Sequence, residues 1–144
     1  MVELLYSKEI EPTVVEEIDR IMRPFLWLVP HWCRRIYIAM YDDGDGNAIA
    51  TRVRYEYRFA NMKFYASWLN QNEFEKTMHV IHDLLHIPTA IYADYVEDQL
   101  NILLPADEAP RYRKSVFDEC SNRCESMTQD LAHIIYDRFR AGAG

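Results

Sequence analysis

Two histidines and an aspartate within five residues carry the strongest chemical signal in this 144-residue chain. His82 and His86 stand at i and i+4, so on a helix both imidazoles leave one face and can hold a single metal ion. Asp83 follows the first histidine directly. The pattern is H-D-x-x-H, one substitution away from the H-E-x-x-H helix, in which the carboxylate serves as general base beside the metal. Aspartate is one methylene shorter than glutamate, which leaves its carboxylate about 1.5 Å short on an unchanged backbone. General-base chemistry requires direct or single-water reach, so Asp83 decides between a catalytic and a purely metal-holding site. An aspartate in this place can also orient a ligand imidazole, which keeps the metal and loses the base.

Zinc takes a third protein ligand and keeps a fourth position for water where the site is catalytic. Glu119 and Glu125 both lie on the last helical stretch, and six residues of helix rotate through about 600°, so only one of them can face the histidines. Glu125 is the first choice because Ser121, Thr128 and Ala132 beside it are small enough to let another helix approach. Glu119 is the second choice, and Asp94 and Glu97 in the intervening segment remain open. His79 reads as a partly exposed histidine satisfied by a neighbour, and His31 and His133 lack a comparable setting. The Asp42–Asn47 run lacks the terminal glutamate of a calcium loop and reads as a turn. Cys120 and Cys124 fall on an apolar stripe and read as core residues.

The elements that must position these groups follow from caps, breakers and periodicity. Asn72 with Glu75 three residues on forms a capping box for the histidine helix, and Pro88 is expected to end it. Phe74, Met78, Ile81 and Leu85 form its apolar stripe, with the histidines at the margin. Upstream, Thr13 and Glu16 suggest a cap for a helix that Pro24 ends, and Trp27 and Trp32 are expected to tuck against the core. Ile36–Tyr41 reads as a strand, Asp42–Asn47 as a hairpin-like reversal, and Ile49–Phe59 as a strand alternating apolar and polar residues. Met62–Ala66 would add a short edge strand. Tyr92–Leu104 carries a weaker helical pattern, Pro105–Arg111 reads as a loop, and Ser115–Phe139 as a long helix with Phe117, Cys120, Cys124, Met127, Leu131, Ile134 and Ile135 facing the core.

Composition sets the frame around this site. The length fits one domain spanning residues 1–144, of α+β class, with a small antiparallel or mixed sheet packed on the histidine helix and the long last helix. A hydrophobic content of 49% with only 4 glycines argues for a chain folded throughout. The formal charge of -7 argues against nucleic acid and anionic lipid as partners. With 3 cysteines a disulfide framework is not expected, and no leader or membrane-spanning run is apparent. A cytoplasmic protein is therefore expected.

The order of alternating strand, short strand, His82-Asp83-Leu84-Leu85-His86 helix and later glutamate helix resembles the small gluzincin-type zincins, including short metallopeptidase-like proteins of phages and prophages. The resemblance spans roughly Arg34 to Phe139, and its specific motif is the histidine helix plus one glutamate. It implies Zn2+ held by His82, His86 and Glu125, with Asp83 in the place of the catalytic glutamate. It also implies that the Met62–Ala66 strand pairs with a peptide or protein substrate. A zincin fold that has lost catalysis and works as a protein-binding module is the competing implication.

Overall fold

A computed structural model describes residues 1–104 and 110–143. The chain forms β1 (Glu3–Tyr6), α1 (Pro12–Met22), a 3-10 segment (Arg23–Leu28), β2 (Arg35–Tyr41), β3 (Ile49–Arg54) and β4 (Phe59–Tyr65). A one-turn helix α2 (Ala66–Leu69), α3 (Glu73–Leu103) and α4 (Pro110–Ala143) complete it. The result is an α+β fold whose four strands lie in the order β1-β2-β4-β3. β1, β2 and β4 run parallel, and β3 closes one edge antiparallel to β4.

Strand alternation fixes which side of the sheet is covered. Ile36 and Ile38 of β2, Ile49 of β3, and Ala60, Met62 and Phe64 of β4 all point to one face and are buried. They share a single core with Ile18, Ile21 and Met22 of α1 and with Met78, Val80, Ile81, Leu84, Leu85 and Ile87 of α3. Trp68 is fully buried beside this core, its ring edge-on to Phe64 at 5.0 Å between centroids and its indole N–H donating to the Lys76 carbonyl. That contact anchors the start of α3. The Arg20–Glu73 fork and the Lys76–Glu17 pair tie the same end of α3 to α1.

Several local expectations are corrected. The cap of α1 is Glu11, whose carbonyl accepts from Val14 and Val15, and Pro12 takes the first helical position, where its fixed φ and missing N–H cost nothing. Thr13 and Glu16 do not form the cap. Trp27 is 70% exposed, whereas Trp32 does pack against the core. The Asp42–Asn47 run turns the chain, with the Asn47 amide donating to the Gly44 carbonyl, but β2 and β3 do not pair. The hairpin partner of β3 is β4, because the Ile49–Phe59 alternation breaks at Arg54. A 3-10 turn at Tyr55–Tyr57 and Arg58 at φ 62° reverse the chain there. The strand expected at Met62–Ala66 is part of β4, which lies inside the sheet between β2 and β3 and has no free edge.

Pro88 does not stop the histidine helix. α3 runs 31 residues through it, absorbing the segment at Tyr92–Leu104. Proline withdraws the amide that would reach the Leu84 carbonyl, and an interior proline costs about 3 kcal/mol. Burial of Leu84, Leu85, Ile87 and Thr89 on both sides of the break holds the helix together, and Thr89 Oγ1 bonds back to the Leu85 carbonyl at 3.0 Å. Phe74 is not part of the buried stripe; it is exposed and meets Tyr136 edge-on.

α4 packs along α3 through a narrower face than its apolar residues imply. Thr128 and Ala132 are fully buried, Cys124 and Ile135 are half-buried, and Met127, Leu131 and Ile134 face outward. Small residues win this face because two long helices approach closely only where side chains are short. Pro110 and Arg111, expected in a loop, belong to α4, and the rest of the expected loop at 105–109 lies outside the described residues.

Candidate metal centre

The capping box forms as the residues dictate: the Glu75 amide donates to Asn72 Oδ1 at 2.8 Å, and the Asn72 amide donates to Glu75 Oε2 at 3.2 Å. This cap fixes the register of α3, and two turns further on His82 and His86 leave the helix on the side facing α4. Their ring centroids lie 4.7 Å apart. Across the helix pair, Glu125 of α4 places Oε2 at 3.0 Å from His82 Nε2 and Oε1 at 3.0 Å from His86 Nε2. Ligand atoms of all three side chains lie within 4.8 Å of one another.

Two imidazole nitrogens and a carboxylate oxygen at these separations can surround one divalent ion at the roughly 2.0–2.2 Å typical of zinc. The donor set suits several transition metals and is too nitrogen-rich for calcium or magnesium. His86 is held below the usual imidazole range, chiefly by burial and further by His82, against the pull of the Glu125 carboxylate. A neutral imidazole is the ligating form. Glu125 itself is more than half exposed, so the cluster sits at the surface end of the helix contact with one side open to solvent.

Around His82, His86 and Glu125 stand further polar groups. Gln129, one turn after Glu125 on α4, places Oε1 2.9 Å from His82 Nδ1, an acceptor that suits a proton on Nδ1 when Nε2 ligates a metal. His133, one turn further, contacts the Gln129 amide nitrogen at 3.2 Å. Asp83 is buried against β3, where Thr51 Oγ1 donates to Oδ1 at 3.0 Å. Burial pushes the Asp83 carboxyl up to about 7; the Thr51 hydrogen bond opposes this shift and the Glu125 charge adds to it.

The structure therefore brings His82, His86 and Glu125 together and seats Asp83 beside them against β3. Glu119 is engaged by Arg123 at 2.9 Å on the exposed side of α4, and Glu119, Asp94 and Glu97 all lie outside the cluster. His79 is satisfied by Gln71 at 2.8 Å, as expected, and Cys120 and Cys124 are free and half-buried. Thr51, Gln129 and His133 were not singled out from sequence. A signal existed for the last two, since Glu125, Gln129 and His133 repeat at i+4 along one face of α4. No comparable signal marks Thr51, because strand parity shows which face it takes but not which helix residue lies beneath.

Set against protein-family models, curated proteins and solved structures, the chain matches none of them.

Proposed function

We propose that this chain is a zinc-binding, metallopeptidase-like protein in which His82, His86 and Glu125 hold the ion and Asp83 serves as general base. The observation that carries the reading is the meeting of two histidines from α3 and one glutamate from α4 within 4.8 Å. Zinc bound there would supply a Lewis acid that acidifies water and polarises a substrate carbonyl. Gln129 would hold the His82 proton on Nδ1, and Thr51 would fix the rotamer of Asp83. The antiparallel edge strand β3, which carries Thr51, has a free edge beside the site where an extended peptide can add as a further strand. In this reading β3 takes the role that the resemblance to zincins gave to Met62–Ala66.

A second reading is favoured by the Thr51–Asp83 bond itself. It turns a short side chain toward β3, which suits a zincin-like fold that keeps its metal for stability and binds a protein partner without cutting it. Incubation of the zinc-loaded protein with a mixed peptide library separates the two. Cleavage that disappears in Asp83→Asn while zinc is retained supports the peptidase. An uncut library in the wild type, with cleavage appearing in Asp83→Glu, supports the binding module.

A further inference from the structure

The open face of the sheet, on the side away from α3, has a chemistry unlike the rest of the chain. Strand parity and register place Arg35, Tyr37 and Tyr41 of β2, Phe59, Lys63 and Tyr65 of β4, and Arg52 and Arg54 of β3 on it. The one carboxylate at a strand position of this face is Glu3, which pairs with Arg35 at 3.6 Å. A chain of net charge -7 thus gathers four cations and four aromatics on one surface. Among the described residues, no carboxylate lies within ion-pair distance of Arg52, Arg54 or Lys63. The face is concave, enclosing about 470 Å³ lined by Leu5, Tyr37, Tyr41, Arg52, Arg54 and Lys63 among others.

We propose that this face docks an acidic segment of a partner protein. Tyrosine and arginine are the side chains that concentrate binding energy at protein interfaces, and arginine forks match carboxylates in geometry as well as charge. The packing of the rings decides against a nucleic-acid strand as occupant. Lys63 lies over the Tyr41 ring at 5.4 Å and Tyr65 leans across it, while Phe59 is met edge-on by Tyr37 and stacked by Tyr57. Each of these rings is already engaged by another ring or by Lys63, and base stacking needs free faces. Tyr37 and Tyr41, 39% and 48% exposed, offer hydroxyl donors beside the arginines. Net charge, which argues against polyanions, averages this face with an acidic remainder. The site is on the opposite side of the sheet from His82 and His86 and does not depend on the metal reading.

The test uses the full chain and a short fluorescein-labelled peptide rich in Glu and Asp with interspersed Leu, followed by fluorescence anisotropy. The expected result is salt-sensitive binding that weakens about tenfold or more in Arg52→Glu/Arg54→Glu, with unchanged melting temperature and metal content, and that weakens also in Tyr37→Ala. Both arginines are exposed on an edge strand, so their reversal leaves the core intact. The proposal is overturned by a wild type that does not bind the peptide, or by a double variant that binds it equally well. It is also overturned if a thymidine oligonucleotide of matching charge binds more tightly, or if sedimentation shows a dimer that the double variant dissolves, which would make a second copy the occupant.

Discussion

Asp83 Oδ1 accepts a hydrogen bond from Thr51 Oγ1 at 3.0 Å, joining the residue after the first histidine of α3 to the edge strand of the sheet. Asp83 is buried, and Thr51 is its one side-chain donor among the described residues. Thr51→Val removes that donor at nearly constant volume and leaves a buried carboxyl unpaired, which costs about 1–3 kcal/mol. Urea unfolding is expected to show this loss with an unchanged m-value. Thr51→Ser, which keeps the hydroxyl, should retain most of the stability.

Gln129 reaches the candidate metal centre through His82. Gln129→Ala is expected to weaken metal binding about 10–100-fold, the usual cost of losing a partner to a ligand histidine. Competition with a chromogenic chelator measures this, and Gln129→Glu, which restores an acceptor for Nδ1–H, should recover most of the affinity. Equal affinity in Gln129→Ala and the wild type would remove Gln129 from the account.

Ala132 is fully buried two turns beyond Glu125 on the same helix. Ala132→Leu overfills the α3–α4 contact and is expected to cost about 1–3 kcal/mol. Because α4 also carries Glu125, displacing the helix should weaken metal binding as well. A variant that loses stability but binds metal normally would show that the two parts of α4 move independently.

Pro88 breaks the hydrogen-bond ladder of α3 one turn after Leu84. Pro88→Ala restores an amide donor to that ladder and is expected to stabilise the protein by about 1–3 kcal/mol in thermal unfolding, with metal affinity unchanged. A destabilised variant would mean that the helix is shaped around the proline.

The meeting of His82, His86 and Glu125 was more legible than the fold around it. The His82–His86 spacing, the Asn72–Glu75 cap and the small residues flanking Glu125 are local features, and each is found where the residues place it. The errors arose where distant packing overrides local rules. Pro88 reads as a stop because proline weakens a helix locally, but burial of Leu84, Leu85 and Ile87 carries α3 past it. The Ile49–Phe59 alternation reads as one strand, yet the break at Tyr55–Tyr57 makes two, which moves β4 to the interior and gives the free edge to β3. On α4, a broad apolar stripe was visible, but which part of it is buried depends on α3. Thr128 and Ala132 fill that contact because they are small, a choice that hydrophobicity alone does not reveal.

If His82, His86 and Glu125 together hold one metal ion, that ion should accompany the purified chain. Protein purified without chelator and analysed for zinc, manganese, iron, cobalt, nickel and copper tests it most directly, with wild type and Glu125→Ala side by side. About one zinc per wild-type chain is expected, with a large loss in Glu125→Ala whose folded state is checked by circular dichroism. A metal-free wild type after zinc reconstitution, or equal zinc in a folded Glu125→Ala, would contradict it.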